Sequence, residues 1–406
     1  MDIWQADGPQ MLRVYSFLPF AYGGWDIKWS RFVDDSHFIL FGDGTLSGYR
    51  VGNAEPSWSW DIGPGGGFYG LSANRRYLAI KISTGIAVLD ALTGKPFGQI
   101  NLTLSKETAI AFKPDGSRLA VLSDGWLNLI DLSGASPIAE FSAIGCFGRE
   151  VDWADEGYLL LDHSHLFSVT KQAVVWSYGG VYPNQHGASG AVLDDRLYYT
   201  SDRDYYTPDP VRREEHIQPM VGSVFLPDPE ARGVLAVVGD PKMLFHPGMN
   251  VTLDVRLDGP ARQSVIDLMT AKLRADGLGV ADSQPIKIVI WEQPGLALDV
   301  RYRKEGAPGG AFENIRAQGV LRNLRILRAD GQPIWGAGGS GAPPSDVTVK
   351  PGQSPEQAVA EQLKKNADSF YKGIRFPKLV PKSTGGFGMT FVDAVGTQQI
   401  ADLPKR

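Results

Sequence analysis

Residues 109–121 of the chain read Ala-Ile-Ala-Phe-Lys-Pro-Asp-Gly-Ser-Arg-Leu-Ala-Val. Two short apolar runs flank a polar Lys-Pro-Asp-Gly turn, in which proline presets one backbone angle and Asp and Gly favour a tight reversal. Apolar runs of this length, bounded by turn residues, are typical of β-strands. The stretch therefore predicts two strands joined by a tight turn.

Similar turns recur along the first half of the chain. Taking one residue of each turn as a marker, successive markers lie 39, 41, 40 and 40 residues apart; they are Asp35, Asn74, Asp115, Asp155 and Asp195. An apolar strand follows each marker, and most repeats continue with a second strand, a turn and a closing strand. Because a fixed period is the signature of a repeat architecture, the sequence predicts β repeats of about 40 residues.

The repeats resemble the blades of WD40-like β-propellers. Residues 109–121 are similar to the first half of such a blade, and residues 88–95 (Val-Leu-Asp-Ala-Leu-Thr-Gly-Lys) to the second half. The Trp-Asp and Gly-His pairs of the strict motif are absent at the corresponding positions, so the resemblance is to the looser, often bacterial, WD40-like class. Over about residues 20–382, the layout also resembles uncharacterised bacterial proteins in which such a propeller precedes an α+β domain. This resemblance implies a fold and no activity.

The first blade is expected to be incomplete. Residues 2–8 resemble the second half of a blade, and no first half precedes them. A propeller removes exposed edges when strands from the other chain end complete its first blade. Either strands near residues 217–226 complete this blade or the natural chain extends upstream. We expect five or six blades over residues 1–227.

Charge and composition change near residue 250. The 406-residue chain has a net charge of −5 and a pI near 5.7, with −10 over residues 1–250 and +5 over residues 251–382. A change of sign marks a domain boundary. The acidic balance argues against nucleic acid as a partner, because binding to phosphates needs a basic surplus.

The second half predicts a two-layer α+β domain over residues 251–382, after a linker at 228–250 and before a flexible tail at 383–406. Apolar residues at helical spacing predict a helix over 263–275, and Ser354 with Pro355 predicts the start of another that runs to about Tyr371. Between them, strands are predicted at 286–291, 296–303, 315–327 and 333–335. The element order resembles that of small bacterial envelope lipoproteins, which is an analogy of fold alone.

The N-terminus does not read as a signal peptide, because charged residues interrupt any apolar stretch. No apolar run reaches the roughly 18 residues that a membrane helix needs. The single cysteine, Cys146, allows no intrachain disulfide. We therefore expect a cytoplasmic protein, unless the natural chain extends upstream of the sequence given.

The first candidate site is a metal site at Asp162, His163 and His165. On a strand, residues two apart share a face, so this spacing predicts both imidazoles on one side. Two histidines and a carboxylate are ligands that zinc uses. A further ligand from His186 or Asp202 depends on the fold, and histidines at a hairpin end are the alternative interpretation.

The second candidate is a ligand- or partner-binding loop in the least regular repeat. Loops held by a rigid scaffold often carry binding function. The candidate residues, which combine aromatic and acidic side chains, are Tyr198, Tyr199, Asp202, Asp204, Tyr205 and Tyr206.

The sequence favours a non-enzymatic scaffold that binds a protein partner, because it consists of structural repeats without a recognisable reactive motif. It predicts no cofactor, no nucleic-acid partner and no membrane span. The alternative is a propeller hydrolase or lyase with a site in the central channel that depends on a metal ion or works without one.

Overall fold

The computed structural model describes residues 1–7, 10–17, 27–42, 44–63, 67–134, 136–143, 145–146, 148–179, 190–193, 196–201, 220–259, 261–305, 312–382, 386–392 and 398–400. The chain forms two compact units. The first comprises Met1–Lys242 together with the C-terminal stretch from Lys382, and the second comprises Met243–Pro381.

The first unit begins with a two-stranded hairpin and three four-stranded antiparallel sheets. The hairpin is β1 (Asp2–Asp7) and β2 (Gln10–Ser16). The first full sheet contains β3 (Ile27–Phe32), β4 (His37–Gly42), β5 (Thr45–Arg50) and β6 (Trp58–Asp61). The second contains β7 (Tyr69–Leu71), β8 (Tyr77–Ile82), β9 (Gly85–Asp90) and β10 (Pro96–Asn101). The third contains β11 (Thr108–Phe112), β12 (Arg118–Ser123), β13 (Trp126–Asp131) and β14 (Ser136–Ser142).

Two further sheets and a helix follow in the same unit. The fourth full sheet contains β15 (Val151–Trp153), β16 (Tyr158–Leu161), β17 (His165–Ser168) and β18 (Ala173–Gly179). A three-stranded sheet contains β19 (Gly190–Leu193), β20 (Arg196–Ser201) and β21 (Met220–Phe225). Helix α1 (Pro229–Val237) comes next. The stretch 228–250 was expected to be a linker, and α1 corrects that expectation.

The predicted turns form because their polar side chains satisfy local backbone groups. In the third full sheet, Asp115 accepts the amide of Ser117 at 2.9 Å, and Lys113 donates its own amide to Arg118. Asn74 accepts the amide of Arg76, and Asp155 accepts the amide of Tyr158. In the first full sheet the accepting residue is Asp34, one position before the predicted marker. Such side-chain turns reverse the chain without unpaired backbone groups.

Apolar clusters fill the spaces between successive sheets. The hairpin packs Ile3 against Phe38 and Leu40 of the first full sheet. Equivalent clusters join the first sheet to the second, the second to the third and the third to the fourth. Another joins the fourth sheet to the three-stranded sheet and α1. Repeated sheets packed face to face in chain order form the predicted β-propeller, and its first blade has two strands among the described residues.

The proposed completion of the first blade by the last strands is wrong for the part of the chain that the structure describes. The strand near residues 217–226 is β21, which pairs with β20 and not with β1 or β2. The hairpin therefore stays two-stranded there.

The second unit is the predicted two-layer α+β domain. Its first elements are β22 (Met243–Phe245), β23 (Asn250–Arg256), α2 (Ala261–Ala275) and β24 (Gly279–Val280). The strands that follow are β25 (Lys287–Lys304), β26 (Glu313–Leu327), β27 (Pro333–Gly341) and β28 (Asp346–Val349). The last elements are α3 (Pro355–Gly373) and β29 (Val380–Pro381). Two strands that the sequence predicted separately are the single long β25, with a bulge after Pro294.

The mixed sheet runs in the order β24-β23-β25-β26-β27, with β28 beside the end of β25. Helix α2 contacts β23, α3 contacts β26, and the two helices contact each other, so both cover one face. As predicted, Ser354 caps α3, with Gln357 completing a capping box. The unit is closed where β22 pairs with β29, and just beyond it the amide of Lys382 donates to the carbonyl of Lys242 at 2.8 Å.

The C-terminal stretch returns to the first unit and contains two strands, β30 (Met389–Val392) and β31 (Gln398–Ile400). Strand β30 pairs in parallel with β18, and β31 pairs with β30. The expectation of a flexible tail over 383–406 is therefore wrong for these strands. The partner of β30 lies more than 200 residues earlier, which no local sequence pattern reveals.

Candidate binding site in the propeller cavity

A cavity of about 1800 Å³ lies within the first unit. It is lined by the first strand of each full sheet, namely β3, β7, β11 and β15, with Val192 of β19 and residues of β1 and β2. In a propeller the first strand of each blade faces the central channel. The cavity is therefore the channel of this propeller, and each blade contributes side chains to it.

Stacked aromatic rings form one part of the wall. The rings of Trp29 on β3 and Tyr69 on β7 lie 3.8 Å apart between centroids, and the indole nitrogen of Trp29 donates to the carbonyl of Gly67. The guanidinium of Arg31 lies 5.4 Å from the centre of the Tyr69 ring. Such aromatic surfaces bind cationic and planar groups well.

Two carboxylates form another part of the wall at the start of β15. Glu150 and Asp152 both line the cavity. Burial raises the pKa of Glu150, the nearby Asp162 charge raises it further, and Arg31 opposes the rise. Burial and the Glu150 charge raise the pKa of Asp152 to about 7. Since 33% of the Asp152 side chain is exposed and it lines the cavity, this group exchanges its proton near neutral pH.

A buried histidine lies behind the carboxylates. The Nε2 atom of His163 is 3.8 Å from Oδ2 of Asp152, and only 6% of the histidine side chain is exposed. Burial lowers the pKa of His163, although the Asp162 charge partly opposes this. The pair therefore favours a neutral imidazole beside a carboxyl group that readily takes up a proton.

The two histidines were predicted to share one face of a strand, and that part of the prediction is wrong. Asp162 and His163 form the turn between β16 and β17, with positive φ angles of 48° and 55°. Asp162 accepts the amides of Arg149 and Glu150, which uses its carboxylate to hold the loop before β15. His165 begins β17, and its Nδ1 lies 2.8 Å from the Ser164 hydroxyl.

No group of three or more His, Cys, Asp or Glu side chains placed to hold a metal ion occurs among the residues with described positions. Metal binding by Asp162, His163 and His165 remains a prediction. In the structure, His163 lies beside Asp152.

The predicted binding loop is described only in part. Tyr198 and Tyr199 lie on β20, where Tyr198 is 37% exposed and Tyr199 is buried at 2%. Gly222 on β21 faces the Tyr199 ring, because a Cβ there would lie 2.4 Å from it. Tyr199 is therefore a core residue. Asp202, Asp204, Tyr205 and Tyr206, as well as the proposed metal ligand His186, lie outside the described residues.

The sequence did not single out five residues of the site, which are Trp29, Arg31, Tyr69, Glu150 and Asp152. A usable signal was present, since the strand that lines the cavity ends two or three residues before each turn marker. The predicted strands that follow the markers lie further from the channel.

In the described part of the chain, no helix is long and apolar enough to cross a membrane.

Comparisons with known proteins add little to this picture. No protein-family model and no curated protein sequence matches the chain. Among 588 solved chains that match is one titled "Structure of U3-55K", with 12% identity and a TM-score of 0.33. The match covers 43% of this chain and 57% of the other, so this chain spans a little over half of the length of the protein that it matches. At this level of similarity, the propeller rests on the sheets and packing of the chain itself.

Proposed function

We propose that the chain is a protein-binding scaffold whose propeller cavity holds a polypeptide segment of a partner. The observation that carries this proposal is the size and lining of the cavity. Sites for small molecules usually enclose roughly 300–1000 Å³, and this cavity, at about 1800 Å³, exceeds that range. A peptide segment or a protruding loop is of a suitable size.

The lining favours a segment that carries a basic side chain. Glu150 and Asp152 face the cavity with raised pKa values, which means that their charges are poorly compensated in the free protein. A lysine or arginine of the partner would compensate them, and its stem would pack on the wall formed by Trp29 and Tyr69. Aromatic and charged residues of this kind often dominate the energy of protein interfaces.

Site-specific crosslinking tests the proposal. Lys28 lines the cavity and is replaced by a photoreactive residue. This variant should capture the same partner as the unmodified protein, in the same amount, and should form a covalent crosslink to it on illumination. The matched control places the same residue at Gln99, on the exposed strand β10 outside the cavity lining.

The double variant Glu150→Gln, Asp152→Asn should reduce capture at least tenfold, while Glu140→Gln on β14 should retain it. Equal capture by all three proteins, or equal crosslinking from Gln99, would show that the cavity is not the binding site.

A hydrolase or lyase is the second candidate, and one observation favours it. A carboxyl group with a pKa near neutrality, such as Asp152, is suited to general acid–base catalysis. Turnover of an ester, glycoside or peptide substrate that Asp152→Asn abolishes and Thr348→Val retains would support it. Elemental analysis of the purified protein separates the metal-dependent form from the metal-free form.

A further inference from the structure

The last strand of the mixed sheet in the second unit, β27, has a free edge. Among the described residues, β26 is the only strand that pairs with it. The two strands pair without interruption from Trp335 to Gly341, and Gly336 and Gly338 within this stretch are exposed. The outward backbone groups of β27 are therefore open to pairing with a further strand.

This edge lacks the features that usually keep sheets from associating, which are charged side chains, prolines and bulges on the edge strand. Residues 335–341 read Trp-Gly-Ala-Gly-Gly-Ser-Gly, without a charge or a proline, and their register with β26 is regular. By contrast, the outer propeller strands β10 and β14 each contain a proline and an irregular register. The edge of β27 is thus suited to extending the sheet.

A neighbouring arginine leaves the edge uncovered. A Cβ on Gly336 would lie 3.4 Å from Cγ of Arg325 on β26, so the stem of this arginine lies beside the glycine. Its guanidinium lies 5.7 Å from the centre of the Trp291 ring on β25, on the far side of β26. The positive charge of Arg325 is therefore directed away from the free edge.

We propose that β27 is a dimerisation strand, which pairs in antiparallel with β27 of a second copy of this chain about a two-fold axis at Gly338. Gly338 is the midpoint of the regularly paired stretch, so this pairing uses the whole of it. Directly opposite residues would be Gly338 with itself, Ala337 with Gly339, Gly336 with Ser340, and Trp335 with Gly341.

This arrangement of β27 is self-complementary. Its one large side chain, Trp335, faces a glycine of the other copy, and the remaining pairs combine glycine with glycine, alanine or serine. Like charges placed directly opposite each other destabilise strand pairs, and this stretch contains none. Two-fold dimers with the same patch on both copies are the commonest oligomers of soluble proteins.

The free edge favours a second copy over a flexible peptide. A peptide loses conformational entropy when it binds, and recognition by strand addition takes its specificity from pockets for alternate side chains. The four glycines of residues 335–341 have no side chains to form the walls of such pockets. In a second copy, β27 is already an extended strand held by β26, so it does not carry this entropic cost.

Sedimentation analysis of the full chain tests the dimer. The mass of the wild type should rise towards twice that of one chain as the concentration increases. Gly338→Lys places two like charges opposite each other at the axis and should weaken the dimer at least tenfold. The fold has room for this side chain, because the nearest atom to a Cβ on Gly338 is the carbonyl oxygen of Arg322, at 3.9 Å. The control is Thr348→Lys on β28, an exposed position that should leave dimerisation unchanged.

Gly338→Cys tests the register independently. Directly opposite residues of antiparallel strands have Cα atoms about 4.5–5.5 Å apart, within the range that a disulfide spans. Under mild oxidation, this variant should give at least tenfold more disulfide-linked dimer than Thr348→Cys. The natural Cys146 interferes little, because burial raises the pKa of its thiol and keeps it unreactive.

The proposal requires both results. A wild type that stays monomeric would refute it, even if the edge of β27 bound another protein. A dimer that Gly338→Lys does not weaken, or one in which Gly338→Cys links no better than Thr348→Cys, would form through another surface and would also refute it. Circular dichroism shows whether Gly338→Lys is folded, and if it is not, the crosslinking result decides alone.

Discussion

Two polar clusters of the propeller differ in how well their groups are paired. The Asp228 network, formed by Asp228, Thr390, Trp176 and Tyr178, is buried and linked by hydrogen bonds throughout. The cavity cluster, formed by Glu150, Asp152 and His163, contains two carboxyl groups whose charges repel each other. The first cluster joins distant parts of the chain, whereas the second faces an open space.

The difference separates a structural role from a binding role. A buried polar network contributes to stability when every member is paired, and leaving one member unpaired costs free energy. Poorly compensated charges beside a cavity lower stability in the free protein and leave interaction energy for a ligand. Substitutions should therefore destabilise the protein at the Asp228 network and stabilise it at the cavity cluster.

The largest effect is expected for Gly386→Ala, beside the Asp228 network. The new Cβ meets the backbone of Val175, and alanine at this φ is strained. We expect a loss of about 3 kcal/mol in the free energy of unfolding, from urea titration followed by tryptophan fluorescence. Gly352→Ala is the matched control, since Gly352 has a φ of +79° with nothing near its Cβ position. It should lose only about 1 kcal/mol from strain. Equal losses would mean that the close fit does not exist.

A smaller loss is expected for Thr390→Val, which keeps the shape of the side chain and removes its hydroxyl. The Trp176 indole and one oxygen of Asp228 would lose their partner in a buried place, at a cost of about 2 kcal/mol. The control is Thr348→Val on β28, whose side chain is exposed and which should change stability by less than about 0.5 kcal/mol. The same unfolding titration measures both variants. If Thr390→Val left the free energy of unfolding unchanged, the hydrogen bonds of Thr390 would not contribute to stability.

The smallest effect is expected for Asp152→Asn in the cavity cluster, with the opposite sign. The pKa of Asp152 is raised from 3.8 to about 7, so the folded state binds a proton more tightly than the unfolded state. This tighter proton binding stabilises the folded wild type at low pH. Its free energy of unfolding should therefore fall as the pH rises from about 4 to about 7.

Asparagine carries no charge at any pH, so the variant should be more stable than the wild type at pH 8 by about 1 kcal/mol and nearly equal to it at pH 4. We expect less than the full free-energy equivalent of the pKa shift, because the Asp152 side chain is partly exposed to water in the cavity. Unfolding titrations at both pH values measure the difference. Because burial lowers the pKa values of His163 and His165, both proteins should also lose stability as the pH falls, so the variant is compared with the wild type at each pH. A variant less stable than the wild type at pH 8 would show that Asp152 is well compensated.

The same contrast explains what the sequence could predict. The turns at Lys113–Gly116 and the start of α3 at Ser354 were predictable, because the side chains that stabilise them bond within a few residues. Residues 386–392 were predicted to belong to a flexible tail because their partners, Val175 and Trp176, are more than 200 positions away.

At the candidate site, the sequence identified His163 and its neighbour Asp162 but placed them on a strand. A positive φ is uncommon for every residue except glycine, and although Asp and His are enriched there, most of them do not adopt it, so the sequence did not single out the turn that they form. The carboxylate that His163 approaches, Asp152, was not singled out, since that approach depends on how β15 and the turn pack.

The ends of the second unit meet where β22 pairs with β29 and Lys382 bonds to Lys242. A domain inserted between two neighbouring points of a chain can be gained, lost or replaced in one genetic event, because the surrounding backbone hardly has to move. A gene in which codon 242 is joined directly to codon 382 should therefore still encode a propeller in which β30 pairs with β18. The α+β domain then becomes an exchangeable module, and relatives of this chain that lack it or carry a different domain at this point are to be expected.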